Sequence, residues 1–193
     1  MLETLKGKQL GIALCGSFCT FKHVFGAIDA LQQAQAQIFP ILSFNAASID
    51  TRFGKAQDIL RYLEETTGNP VIRTIEAAEP IGPKKMFDLL IVANCTGNTL
   101  AKLAASITDT PVTMAVKSHL RAQRPVLISL ATNDALAGTA KNLGAVMNFR
   151  HYYFVPLKQD DCLNKPTSLV ADFSRLPEAA AKAIEGVQLQ PVF

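Results

Sequence analysis

Two rhythms of apolar and polar positions alternate along this chain. Gln9 to Cys15, Ile38 to Phe44, Asp88 to Ala93 and Pro125 to Leu130 are short, nearly continuous apolar runs, the pattern of strands covered on both faces. Between them the apolar residues recur at helical spacing. Phe21 to Ala36 carries Phe21, Val24, Phe25, Ile28 and Leu31 on one side, and Arg52 to Thr66 carries Ile59, Leu60 and Leu63, with Gly68-Asn69-Pro70 as its stop. Thr99 to Ser106, Pro111 to Ala122, Asp134 to Leu143 (stopped by Gly144) and Pro177 to Glu185 read as further helices, and Tyr152 to Leu157 as a late strand. Such alternation predicts an α/β fold, a Rossmann-like (flavodoxin-like) three-layer sandwich around a central, mainly parallel sheet.

Neither an internal repeat nor a low-complexity linker divides the pattern. At 193 residues the expectation is one domain over positions 1–193, less regular from about 151. Lys158-Gln159-Asp160-Asp161 and Lys165-Pro166-Thr167 read as a polar surface loop in preference to a lid over a ligand. Charge adds little: 19 Lys and Arg against 16 Asp and Glu give +3, scattered without blocks, so nucleic acid is not indicated as a partner. The apolar runs fall far short of the about 20 residues a membrane helix needs. Met1 to Lys6 lacks the features of a secretory signal, so a cytoplasmic location is expected. Cys15, Cys19, Cys95 and Cys162 have neither C-x-x-C nor zinc-ligand spacing and read as reduced thiols, with no metal site. Cys15 and Cys95 close buried strands, where packing is their expected role.

The chemistry concentrates where strands end. In open parallel sheets ligands collect beyond the carboxyl ends of the strands, where backbone N–H groups at helix starts receive phosphates. The first run ends in Gly16-Ser17-Phe18-Cys19-Thr20 and the second in Ser43-Phe44-Asn45-Ala46-Ala47-Ser48. The third ends in Asn94-Cys95-Thr96-Gly97-Asn98-Thr99 and the fourth in Ala131-Thr132-Asn133. Small hydrogen-bonding residues at four successive ends predict a pocket for a phosphate and a heterocycle. Each alone also suits a helix N-cap. Classical dinucleotide binding fits poorly: the first turn is not G-x-G-x-x-G, and Ser43 stands where an acidic residue would hold a ribose. No Gly-Lys-Ser or Gly-Lys-Thr follows a strand, which removes the Walker type. Thr96-Gly97-Asn98-Thr99 resembles the flavodoxin phosphate loop, displaced to a later strand.

With these loops, Gln9 to Gly144 resembles the FMN-binding flavoprotein superfamily of cysteine decarboxylases and flavin prenyltransferases. The resemblance rests on Gly16-Ser17, on Ser43 and Ala46, and on Asn94 through Ala104. It implies FMN as cofactor, with Ser17, Ser43, Thr96, Asn98 and Thr99 at its phosphate or over its ring. Gly16, Asn94, Gly97, Ala131, Thr132 and Asn133 complete the implied cofactor site; catalytic residues stay unassigned. Two departures matter. Leu130-Ala131-Thr132-Asn133 replaces the decarboxylases' Pro-Ala-Met-Asn, and no histidine occurs between His23 and His119. The prenyltransferases' Arg-Glu-Thr-Pro segment is absent too, so neither reaction is favoured.

Within the superfamily the likeness runs furthest to the family of dipicolinate synthase B subunits. It is carried by Leu14 to Thr20, Asn94 to Thr99, Asn133-Asp134-Ala135-Leu136 and Asn142-Leu143-Gly144. That implies a partner A subunit similar to nucleotide-dependent dehydrogenases, and oxidation of a dihydrodipicolinate-type precursor to the aromatic dicarboxylate during sporulation. It also implies a homo-oligomer, a trimer or a multiple of one. Aromatisation needs a hydride or electron acceptor and a base. Two acceptors remain open, flavin on this chain and NAD(P) on the A subunit, as do a non-catalytic flavin- or partner-binding protein and a flavin-dependent decarboxylase. Among other groups, Lys117, His119, Arg121 and Arg124 suit a solvated helix face better than a dicarboxylate site. His151 reads as packed beside Tyr152 and Tyr153 near a pocket rim, and His23 as structural or close to the phosphate loop.

Overall fold

A computed structural model describes residues 2–193. Strands β1 (Gln9–Leu14), β2 (Gln37–Leu42), β3 (Leu89–Cys95) and β4 (Val126–Thr132) lie parallel in the order β2-β1-β3-β4. All seven residues of β3 are buried, as its unbroken apolar run requires of a central strand. β2 lies at the edge of the sheet, which lets it hold Pro40, a residue with no N–H for a ladder. Leu10, Leu14, Ile38 and Ile41 are completely or almost completely buried, each stabilising the fold by about 1.5–3 kcal/mol. Gly11 permits this packing, because a Cβ there would sit 2.5 Å from the ring of the buried Phe87.

Helices cover both faces. α1 (Phe21–Gln33) buries Phe21, Val24, Ala27, Ile28 and Leu31. After the short α2 (Phe44–Ser48) come α3 (Ala56–Thr67), ended by Gly68 in the left-handed region at φ 68°, and α4 (Ile75–Ala78). α5 (Gly97–Ala104) and α6 (Pro111–Arg121) link β3 to β4, and α7 (Ala140–Met147) follows β4. α8 (Leu176–Ile184) buries an alanine-rich face. None of the described helices is long and apolar enough to cross a membrane.

The far edge of the sheet divides. Val126 to Ile128 of β4 pairs with the parallel β5 (Tyr152–Phe154), while Ala131 and Thr132 pair with the antiparallel β7 (Leu169–Ala171). β6 (Leu157–Lys158) completes a hairpin with β7. The α/β class and mainly parallel sheet stand as expected, with several local corrections. The late strand breaks at Val155-Pro156, since Pro156 has no N–H to extend the ladder. Positions 133–139 are turns, and the helix begins only at Ala140. There the Asp134 side chain accepts hydroxyls from Thr132 and Thr139 while its carbonyl accepts N–H groups of Ala137 and Thr139, a local alternative to the helical ladder. Gly144 lies inside α7 and does not stop it. Arg52 to Gly54 precede α3 as a tight turn closed by reciprocal Thr51–Gly54 bonds. Gly54 takes φ 145° in that turn.

Candidate functional site

The four loops singled out by their composition converge at the carboxyl ends of β1 to β4. They line two cavities that meet at Gly16 and Thr96, one of about 590 Å³ and one of about 400 Å³. Gly16, Ser17, Thr96, Ala131, Thr132 and Asn133 line the larger, and Gly16, Ser43, Thr96, Asn98 and Thr99 the smaller. Asn94 and Gly97 line neither.

Asn94 works from behind. β3 carries one extra residue against β4, since Val92 pairs with Ile128 and Cys95 with Leu130, and Asn94 falls in that bulge. Its fully buried side chain accepts the Cys15 N–H at 2.6 Å and donates to the carbonyls of Cys15 at 3.1 Å and Ser17 at 3.2 Å. One amide thereby fastens the loop after β1 to the end of β3.

Counting hydroxyl protons separates residues that can donate to a ligand from those already committed. Thr96 Oγ1 donates to Thr99 Oγ1 at 3.1 Å, and Thr99 Oγ1 donates to Cys15 Sγ at 3.4 Å, so this chain of protons runs into the protein. Burial pushes the Cys15 thiol up to about 11 against the opposing Thr99 bond, and pushes Cys95 well up too, which keeps both as packed thiols. Ser43 caps α2 by accepting the Ala46 N–H and keeps its own proton for the cavity. Ser17 caps no helix with its side chain, and its hydroxyl meets only the Cys19 thiol, at 3.9 Å, where either group can donate. The Asn98 amide is exposed with no partner among the described residues. Ser17, Ser43, Asn98 and the first N–H groups of α5 are therefore the donors facing outward, together with the exposed Asn133.

At the opposite wall Thr132 Oγ1 donates to Asp134 Oδ1 at 2.6 Å, and Thr139 Oγ1 donates to both carboxylate oxygens at 2.9 Å. These hydroxyls, Thr132 foremost, hold the Asp134 carboxyl below the usual range despite partial desolvation. Gly97 makes the cluster possible: a Cβ there would lie 2.7 Å from Thr139 Oγ1, 2.9 Å from Thr132 Oγ1 and 3.0 Å from Asp134 Oδ1.

Sequence reasoning missed the site's charged groups. Arg52 and Phe53 line the larger cavity, with the guanidinium carbon 4.8 Å from the Phe53 ring centroid. Lys165 reaches the same cavity paired with Asp160 at 2.8 Å, so the polar loop after β6 forms part of its wall. Thr167 Oγ1 ties that loop to the Asn133 carbonyl at 2.7 Å. In the smaller cavity Lys102 pairs with Asp109 at 2.8 Å. An Arg-Phe step in a turn and a lysine in a polar loop carry no periodic signal, and the tertiary fold alone brings them to the strand ends.

The histidines lie elsewhere. His119 is completely buried beside Phe87, bonded through Nε2 to the Pro125 carbonyl at 3.0 Å, and burial holds it down at about 4. It is thus not on a solvated helix face: the α6 periodicity turns it inward. His151 precedes β5 at the opposite end of the sheet from these two cavities, beside Tyr152, which lines a separate cavity of about 410 Å³. His23 is exposed on α1 and stacks on Phe173. Among the described residues no three His, Cys, Asp or Glu side chains gather to hold a metal.

Comparison with known proteins agrees with this geometry. The family profile described as Flavoprotein matches residues 1–173. The dipicolinate synthase B subunit of Bacillus subtilis (strain 168) is 41% identical over 191 residues, covering 99% of this chain and 96% of that protein. The crystal structure of the dipicolinate synthase B subunit from Bacillus halodurans aligns with a TM-score of 0.89 at 36% identity, covering 97% of this chain and 96% of that one. An FMN-dependent cysteine decarboxylase, SpaF, aligns with a TM-score of 0.68 at 22% identity over 93% of this chain and 98% of its own, a likeness of fold.

Proposed function

The chain belongs to the flavoprotein family, and from that premise we propose that it is a single-domain B subunit of a dipicolinate synthase that holds FMN across its two joined cavities. The observation that carries this reading is the contrast between those cavities. The smaller is mostly polar and lies at the N-termini of α2 and α5, with Ser43, Asn98 and Lys102, the last paired with Asp109, in its wall. Helix N-termini, hydroxyl and amide donors and a lysine are what a phosphate needs. The larger is mostly apolar, walled by Phe18, Phe53, Ala131 and Val170 with Arg52 and Lys165 at hand, and suits a flat heterocycle next to an anionic substrate. The residues present thus fit FMN: Ser43 and Asn98 as donors toward the phosphate, with Ser17, Ala131, Thr132 and Asn133 lining the rest.

A bound flavin supplies a two-electron acceptor for removal of two hydrogens from the precursor ring. The chain's own residues bind and orient: Arg52 and Lys165 attract the carboxylates of a dihydrodipicolinate-type substrate, and the aromatic wall excludes water from the ring. The A subunit, carrying NAD(P), is the partner; this chain itself forms a homo-oligomer, a trimer or a multiple of one, and the assembly works in the cytoplasm during sporulation. Identity of 41% along nearly the whole of a dipicolinate synthase B chain supports that assignment. Decarboxylation gains no support, since none of the three histidines lines either cavity.

The visible spectrum of the purified protein and an FMN titration followed by quenching of flavin fluorescence test the reading. Stoichiometric binding, weakened in Ser43→Ala and Asn98→Ala, and oxidation of precursor only after the A subunit is added are expected. Absence of flavin binding would remove the flavin from this chain.

A further inference from the structure

Thr132 lines the larger cavity, yet its hydroxyl proton points away from it, toward Asp134 Oδ1 at 2.6 Å. A threonine hydroxyl has one proton and two lone pairs. Once the proton is committed, the oxygen can offer a ligand only lone pairs. Three features prevent reversal. The Asp134 carboxyl is held ionised by the hydroxyls around it, so it has no proton to return. Thr139 fills the remaining side of the carboxylate at 2.9 Å to both oxygens, and its own backbone N–H is fixed by the Asp134 carbonyl at 3.1 Å. The missing side chain of Gly97 leaves room for this arrangement and for little else.

We propose that Thr132, oriented by Asp134, is a dedicated hydrogen-bond acceptor that reads a ring N–H of the heterocycle in the larger cavity. Asp134 is then a positioning residue, acting on the ligand only through Thr132. The inference rests on the reading of that cavity as a heterocycle site. An acceptor-only oxygen attracts an N–H and repels a carboxylate or a bare ring nitrogen, so it selects both the ligand and its orientation. Two heterocycles offer the required group: the pyrimidine N3–H of the flavin and an N–H tautomer of the dihydropyridine-type substrate.

Binding of FMN and of N3-methyl-FMN, which lacks the donor, separates these sources in wild type, Thr132→Val, Thr132→Ser and Asp134→Asn. KM for the precursor is measured alongside in the mixture with the A subunit. If the flavin N–H is read, wild type prefers FMN over its methyl analogue. Thr132→Val then weakens FMN binding roughly fivefold to tenfold, the size of one lost hydrogen bond, and removes the preference. Thr132→Ser retains it. Asp134→Asn, whose amide can donate to Thr132 and release the hydroxyl proton, loses it while still unfolding cooperatively in urea. If the substrate N–H is read, flavin affinities stay level while KM rises by a similar factor in Thr132→Val and returns in Thr132→Ser. The proposal is overturned if folded Thr132→Val alters neither the flavin preference nor KM. A wild-type protein that binds no flavin at all sinks the flavin-site reading separately, and KM alone then decides for Thr132.

Discussion

Asn94 concentrates more structural work than any other polar side chain at the strand ends. Replacing it by alanine leaves the Cys15 N–H and carbonyl without their side-chain partner, while the Ser17 carbonyl keeps its bonds from Thr20, and opens a small cavity besides. Unmet buried polar groups cost about 1–3 kcal/mol each, so Asn94→Ala should lower the unfolding free energy by about 3 kcal/mol, read from the urea midpoint. FMN affinity should fall with it, because the loop after β1 is released. A variant as stable as wild type would show that the loop holds itself. The residue was visible in the sequence as a member of the richest polar segment, but its direction was not. Asn94 and Asn98 are alike in composition, and only the bulge in β3 turns one into the protein while the other stays exposed in the wall of the cavity.

Strands and their following loops were readable from apolar runs ended by Gly, Ser, Thr and Asn, since central parallel strands are buried on both faces and must be apolar throughout. Elements without such a signature were not. α2 is five residues and β7 three, both shorter than the periodicity that would mark them. The turn at positions 133–139 imitates a helix in composition until Asp134 gathers its two threonines. The hairpin of β6 and β7 matters for the proposed substrate site, since it delivers Lys165 to the cavity that Arg52 enters from the turn before α3. Arg52→Ala and Lys165→Ala should each raise KM for the dicarboxylate precursor about tenfold, the effect of one charged hydrogen bond at a partly exposed site, and leave FMN affinity nearly level. Asp160→Ala should act in the opposite direction by freeing Lys165 from its 2.8 Å partner. Steady-state kinetics with the A subunit present provide the check, and unchanged KM in all three would place the substrate elsewhere. The Lys165–Asp160 pair is solvent-exposed and screened, so folding should survive each change.

For the molecule as a whole, acid sensitivity follows from one core residue. Burial lowers His119 to about 4 from 6.5 in the unfolded chain. Between those values the unfolded state binds the proton and the folded state does not. Stability is therefore complete above about pH 6.5 and declines as the pH falls toward 4, by about 3 kcal/mol at ~1.4 kcal/mol per pKa unit. Asp134, Asp160 and Asp172, all lowered by bonds to their carboxylates, add their losses only further into acid. Urea midpoints at pH 7.5, 6 and 5 should fall in wild type and stay flatter in His119→Gln; parallel curves would contradict this origin. The position of His119 could be inferred from the α6 pattern only by noticing that Val112, Ala115, Val116 and His119 share one stripe. The divided edge of the sheet works in a different way. β4 is held along its first half by β5 and along its second by β7, so the hairpin that carries the cavity's outer wall is joined to the sheet by only two residue pairs. That wall should therefore open more readily than the sheet's centre, so amide hydrogen exchange is expected to be faster in β6, β7 and the Ala131–Thr132 end of β4 than in β1 and β3, and equal protection throughout would show that the wall and the sheet open only together.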